Sequence, residues 1–251
     1  MAQDCDAYCV EESGARLIDH EATQLALRTK LLALEVITTG ATTLAATATG
    51  YTRSSGSFLT QGFKPGMEIL AAGFSNASSN GRGVITSVAT LALTVTAYDV
   101  TYSNGELTAT GRTLAVDSAA AGRTISVPLP AITAWENTKV QPLTGAPFVE
   151  EQYLPGPTAQ ITIGPLGDIE ITPQYQVQIH VPEGYGIGAA RKYTDALITL
   201  FAPRTAITVG SDTARVRTDT GPFTGQLIRS RAGWVVTPVT FPLRLRTANS
   251  T

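Results

Sequence analysis

The chain has 251 residues, 43% of them hydrophobic, which is enough to bury the core of one large or two small domains and excludes a disordered chain. Only 15% of residues are charged, while Gly, Thr, Ala and Pro abound, a bias found in β-rich proteins that assemble. A net charge of −2, from 18 basic and 20 acidic residues, supplies no general attraction for nucleic acid or an anionic membrane.

The first residues, MAQDCDAYCVEESG, carry acids where a secretion signal needs a basic segment and an apolar run, so export by that route is not expected. No stretch is long and apolar enough to predict a membrane span. Cys5 and Cys9 are the only cysteines, too few for a disulfide framework or a complete zinc site, and read as reduced thiols. Residues 1–14 are predicted to be a flexible arm.

Residues 15–36 follow a helical period, with Leu17, Ile18, Leu25, Leu32 and Val36 predicted on the core face and Leu27, Leu31 and Leu34 widening it. The texture then changes. From Thr38 to about Val116, threonines alternate with small apolar residues between turn signals such as Phe63-Lys64-Pro65-Gly66 and Ser79-Asn80-Gly81, predicting a small all-β module. Met67, Ile69 and Ala71 alternate as one strand; Val84-Ile85 and Leu91 to Val95 supply two more.

Mixed character returns after Val116. ISVPLPAITAWENTKV and FVEEQYLP predict strands, and YQVQIHV predicts a long one with Tyr175, Val177, Ile179 and Val181 on the core face. Gln174, Gln176, Gln178 and His180 then form a polar, available face. GAARKYTDALITLFAP predicts a second helix, ended by Pro203. AITVG, ARVRTD, QLIRSR and WVVTPVTFPLRLR predict four closing strands, on which Arg215, Arg217, Arg229, Arg231, Arg244 and Arg246 recur at alternate positions. That strip is either an ordinary solvated sheet face or a surface for a carboxylate-rich partner. Trp135 and Trp234 read as core anchors.

The predicted architecture is therefore α+β: a mixed or antiparallel sheet with two packed helices, interrupted by an inserted small all-β domain. Residues 15–37 and 117–247 form the discontinuous host, 38–116 the insertion and 248–251 a C-terminal tail. Insertion at a surface loop whose ends lie close is physically tolerated.

Gly184, Gly186 and Gly188 sit between the long strand and the second helix, where a phosphate loop would lie. Their spacing is G-x-G-x-G, the third glycine comes too early for a dinucleotide loop, and Ala189-Ala190-Arg191 replaces the Lys-Ser or Lys-Thr of a Walker loop. A nucleotide-binding enzyme is thus the weaker alternative, and a strand-to-helix junction the better reading. His20-Glu21 lacks the second histidine of a zinc-protease helix, and no G-x-S-x-G is present. Glu150 and Glu151 should face opposite sides of a strand. Asp168 and Glu170 read as an exposed hairpin flank. No catalytic residue, cofactor or metal is expected.

The order LALRTKLLAL helix, ITAWENTKV with FVEEQYLP, YQVQIHVPEGYG, ARKYTDALITLFAP, ITVG and WVVTPVTFPLRLR resembles tail terminator proteins of long-tailed bacteriophages, over residues 12–36 and 120–247. The segment GFKPGMEILAAGFSNASSNGRGVITSVATLALTVT is similar to a small β module that recurs in phage tail proteins; terminators of the lambda type lack such an insert. The resemblance implies a structural protein and no enzyme. It implies a ring, hexameric in the family, that caps the tail tube, ends its polymerisation and forms the joint to the head connector or stopper. Implied partners are further copies of the chain, the tail-tube protein and the connector, with DNA passing through the lumen without sequence-specific contact. The implied location is the tail-neck region of the virion, after synthesis in the bacterial cytoplasm. A tail-tube or other neck subunit carrying the same module is the structural alternative.

Overall fold

The structure is a computed structural model that describes residues 19–40, 42–103, 106–131, 133–134, 145–162, 168–209, 212–217, 219–229 and 233–247. Helix α1 spans His20–Leu32, where the Asp19 carboxylate accepts from the Ala22 N–H at 2.9 Å and caps the first turn. Glu21 in the first turn and Lys30 in the last suit the helix dipole. Thr23, Leu27 and Leu31, four residues apart, face inward with Leu34 beyond them. Leu25 and Leu32 are each 62% exposed, which corrects their predicted place on the core face: the helix carries two apolar stripes, and only one is covered. The helix also stops at Leu32, and the chain turns at Ala33 into a strand.

Nine strands build the first sheet. They are β1 (Glu35–Thr38), β2 (Leu44–Thr47), β3 (Gly50–Arg53), then, after the single-turn α2 (Phe58–Gln61), β4 (Glu68–Ala72), β5 (Gly81–Val88), β6 (Ala92–Ser103), β7 (Glu106–Gly111), β8 (Asp117–Ala120) and β9 (Thr124–Pro128). The order is β1-β9-β4-β5-β6-β3-β2-β8, with β7 added to β6 and every pairing antiparallel. Glu35–Thr38 and Asp117–Pro128 thus pair within the same sheet as residues 44–111. Lys64-Pro65-Gly66-Met67 closes on a Met67 N–H to Lys64 carbonyl bond, with Gly66 at φ 84°, the geometry of a type II turn. A Cβ on Gly66 would also press on Tyr185 and Val181 at 3.1–3.2 Å, so glycine serves both the turn and the approach of the second half of the chain.

That half forms a ten-stranded sheet. Its elements are β10 (Thr133–Ala134), β11 (Phe148–Leu154), β12 (Thr158–Gln160), β13 (Ile169–Ile171), β14 (Gln174–Pro182), helix α3 (Gly188–Leu200), β15 (Ala206–Val209), β16 (Asp212–Val216), β17 (Phe223–Thr224), β18 (Ile228–Arg229) and β19 (Trp234–Thr247). Only β10 and β11 are parallel. The 14-residue β19 is the spine: β14 and β13 line one side of it, β18, β17 and β16 the other. Two prolines explain why the second side is broken into short pieces. The carbonyls of Pro238 and Pro242 accept from Gly225 and Arg217 on that side, so their missing N–H groups face it too.

On β14, Tyr175, Val177, Ile179 and Val181 are fully buried, as are Val239, Phe241 and Leu243 on β19. α1 and α3 cover this face, and one hydrophobic core runs from it into the first sheet. The joint between the sheets is polar at its centre. Tyr193 of α3, fully buried, accepts from the Glu68 N–H at 3.2 Å; the buried Glu68 carboxylate accepts from Arg82, from the Tyr98 hydroxyl and from the Ala131 N–H at 3.0 Å.

The predicted α+β class is corrected by this architecture, which is mostly β: 48% strand against 17% helix, in two large sheets. The two 13-residue helices are conspicuous in sequence because their period is long and regular. Strands of two to five residues, such as β17, β18 and β13, carry too little alternation to weigh against them.

Candidate interaction surface

Even-numbered residues of β19 from Val236 to Arg246 point away from the core, and this outer face organises the candidate residues. Gln178 stands opposite Pro238, Gln176 opposite Thr240 and Gln174 opposite Pro242; on the far side of β14, Gln176 meets Gln152 and Gln178 meets Glu150. The amides are linked: Gln178 Nε2 donates to Gln176 Oε1 at 3.3 Å, and Gln176 Nε2 to Thr240 Oγ1 at 3.3 Å. His180, predicted on an available face, is instead buried. Phe148 stacks on its ring with centroids 4.0 Å apart, and its Nε2 lies 3.1 Å from Glu150 Oε2. Burial lowers its pKa below the usual 6.5, with Glu150 opposing the shift. Exposed apolar residues flank the amide ladder: Leu154 opposite Gln174, Phe223 opposite Thr240 and Ile228 opposite Val236. A face with linked amides at its centre and half-exposed large apolar groups beside them differs from a simple solvated sheet.

Arginines occupy the other end of the same β19 face. Arg215 pairs in register with Arg244, and Thr213 with Arg246. Arg204, Arg215, Arg217 and Arg244 line a recess of about 360 Å³ with Glu170, Val216 and Asp219. Glu170 does not form the exposed flank expected of it. It is buried, and its Oε2 takes Nε of Arg244 at 2.7 Å and Nε of Arg246 at 3.0 Å, bonds that hold its pKa below the ordinary carboxylate range. Arg217 is paired with Asp219. Arg229 places its backbone opposite Val235, but its side chain and all of Arg231 lie outside the described residues, as does Trp135. Trp234 is half-buried and edge-on to Phe148 at 4.9 Å.

Sequence reasoning missed Arg204. Ala202-Pro203-Arg204-Thr205 closes with a Thr205 N–H to Ala202 carbonyl bond of 3.0 Å, and Arg204 has φ 70° at a position where such a turn favours glycine. The proline was legible; the strained arginine after it was not. Also missed was the inward role of Arg28, whose Nε donates to the buried Glu151 at 2.6 Å and fastens α1 to β11. Glu150 and Glu151 do face opposite sides, one half-exposed and one enclosed.

Gly184 and Gly186 take φ of 99° and 75° between β14 and α3, whereas Gly188 is the first residue of the helix, where an added Cβ would lie 3.6 Å from the Lys64 stem. Among the described residues, no group of three or more His, Cys, Asp or Glu could hold a metal, and no helix is long and apolar enough to cross a membrane.

A β scaffold offering one long polar and basic face suits contact with other macromolecules, and the comparisons with known proteins are in accord. A family model described as "Phage tail terminator protein" matches residues 114–242, more than half of the chain. No curated protein matches. One solved structure is 23% identical, with 48% of this chain and 81% of its own covered at a TM-score of 0.38. The protein is thus a structural component of a bacteriophage tail, and so of the virion. It belongs to the phage tail terminator family, whose members are structural proteins and not an enzyme family.

Proposed function

We propose that the protein closes into a ring on the last ring of the tail tube, ends its polymerisation and presents the joint to the head connector. The observation that carries this reading is the family match over residues 114–242. Contacts that close by rotation join two different surfaces of the same subunit, and a closed ring consumes the growing edge without bond chemistry. The sheet has suitable edges. β12 and β15 lie on opposite sides of β19, and each pairs with a single strand among the described residues. Six copies, the tube protein and the connector or stopper complete the reading.

The outer β19 face, with Gln174, Gln176 and Gln178 at one end and Arg215 and Arg217 at the other, is the candidate ring or tube contact. His180 and Arg229 belong to it as positioning elements of β14 and β18, and Arg231 by its sequence position alone. Gly184, Gly186 and Gly188 serve as the strand-to-helix junction. In the proposed domain division, residues 38–116 are an insertion carried by a host of 15–37 and 117–247, with 1–14 as an arm. The start of the family match at 114 supports the second boundary, while the strands Glu35–Thr38 and Asp117–Pro128 complete the sheet of residues 44–111 across both boundaries. Electron microscopy of the purified protein tests the reading: discrete rings are expected, and open-ended tubes would instead assign a tail-tube subunit. Charge reversal of Arg215 and Arg217 should block attachment to tubes; intact attachment would remove these residues from the contact.

A further inference from the structure

The edge of strand β15 lies between an apolar groove and a basic recess. Among the described residues β15 pairs with β16 alone. The Val216 N–H bonds to the Thr205 carbonyl, so by the alternation of an antiparallel ladder Ile207 and Val209 turn their backbone groups to β16, while Ala206 and Thr208 turn theirs to the open edge. On the inner side, a groove of about 500 Å³ separates β15 from Ala22, Leu25, Ala26, Thr29 and Lys30 of α1. Leu25, 62% exposed, belongs to the apolar stripe of α1 that the sheet leaves uncovered.

On the outer side, the recess beside β16 holds more positive charge than it neutralises. Its four guanidinium groups face two carboxylates, and those carboxylates are engaged by Arg217, Arg244 and Arg246. Arg204 and Arg215, both exposed, have no carboxylate partner among the described residues. The excess is costly to the fold. Arg215 stands directly opposite Arg244, a like-charge pair that weakens a ladder, and Arg204 is held in left-handed backbone at φ 70°. Ala206, opposite Arg215, is small. With strands about 4.8 Å apart, a strand added to β15 lies about 10 Å from β16, a gap that an arginine and a glutamate close from its two sides above Ala206.

Strand β13 shows what this face accepts. Its Glu170 lies on Arg244 and Arg246, while the adjoining Ile171 is buried in the core, so an acid and an apolar group alternate along it. Nucleic acid fits less well, because it needs a track of cations, whereas the same face of β19 continues from Arg244 through Pro242, Thr240 and Pro238, all uncharged.

We propose that β15 receives an added strand from a partner polypeptide, different in sequence from this chain, in which acidic residues alternate with large apolar ones. The acids meet Arg204 and Arg215, the apolar side chains fill the groove beside Leu25, and the backbone completes the edge. The open strand of a second copy, Thr158–Gln160, has no carboxylate to offer. The inference goes beyond the ring reading and does not depend on it; it leaves ring closure to surfaces other than the β15 edge, and micrographs of the purified protein judge that reading separately.

Fluorescence anisotropy with the full chain and a labelled, acetylated and amidated heptapeptide, TIEIEIT, tests the proposal. Saturable binding at one site per chain is expected. The neutral peptide TIQIQIT should bind at least about tenfold more weakly, the effect of losing a charge-assisted hydrogen bond, and Arg204→Gln with Arg215→Gln should abolish the difference between the two peptides. Leu25→Gln should weaken TIEIEIT about fivefold through lost apolar contact. Methylating the backbone nitrogens of its glutamates should weaken it about tenfold, because the added strand then lacks donors for the β15 edge. All three substituted positions are exposed, and an unchanged circular dichroism spectrum shows that the fold is kept. No saturable binding, equal binding of the two peptides to the wild-type chain, or indifference to Leu25→Gln and to methylation would overturn the proposal. So would equal binding of PTAQIT, the chain's own residues 157–162, which would give the edge to a second copy. A short DNA duplex that binds more tightly than the peptide and is lost with the two arginines would overturn it as well, reassigning the recess to phosphate.

Discussion

Glu68→Ala should be among the most damaging single substitutions outside the apolar core. The Glu68 side chain is fully enclosed, and three groups depend on it: the Arg82 guanidinium, the Tyr98 hydroxyl and the Ala131 N–H. Arg82 is 28% exposed and recovers some hydration, but the hydroxyl of buried Tyr98 is left without its acceptor. Breaking a buried pair from one side costs about 3–5 kcal/mol. For a chain of this length that is a fall in Tm on the order of 10 °C. Glu68→Gln keeps an acceptor oxygen and the side-chain volume, and should cost roughly half as much.

The two variants also differ from wild type in their pH response. Burial raises the Glu68 pKa above 4.5, and Arg82, Tyr98 and Ala131 only partly oppose it. Its contribution is therefore fully present below the unfolded-state value and lost as pH rises through the folded-state value. Glu68→Gln should flatten that component of the Tm curve. Thermal unfolding followed by circular dichroism measures both effects. A loss below about 1 kcal/mol for Glu68→Ala would mean that the sheets are not joined through this carboxylate, because even a single orphaned buried group costs that much.

Leu31→Ala should cost about 2–5 kcal/mol in a chemical denaturation series, whereas Leu25→Ala should stay within roughly 0.5 kcal/mol; equal costs would contradict the phase of α1. The lowered pKa of His180 implies stability that is present above 6.5 and lost as pH falls through the folded-state value. His180→Gln should remove this part of the decline in Tm, and an unchanged slope would place the titration elsewhere. Arg204→Gly should raise stability by about 0.5–1 kcal/mol, the relief of a left-handed backbone less the entropy of glycine, as read by urea unfolding. A destabilised variant would show that the arginine side chain contributes more to the fold than its backbone strain removes.

How much of this was legible in sequence depended on the range of the interactions. The inward alternation of Tyr175, Val177, Ile179 and Val181 is a local pattern, and so is the Pro65-Gly66 turn. The phase of α1 was not local: Leu25 and Leu32 are as apolar as Leu27 and Leu31, and only the covering sheet selects between the stripes. His180 looked available because three glutamines share its strand face, but Phe148 on β11 covers it. The short strands against β19 are defined by where two prolines withhold donors, a constraint that emerges only once the pairing is known. The arginine recess likewise needs Arg204 from a turn, Arg215 from β16 and Arg244 from β19, brought together across 40 positions of chain.

A chain that stops the growth of a tail should set tail length, and phage lacking its gene reveal whether it does. Electron micrographs of such lysates should show overlong or headless tails, with normal length restored when the protein is supplied from a plasmid. Virions with tails of normal length and attached heads would contradict the account.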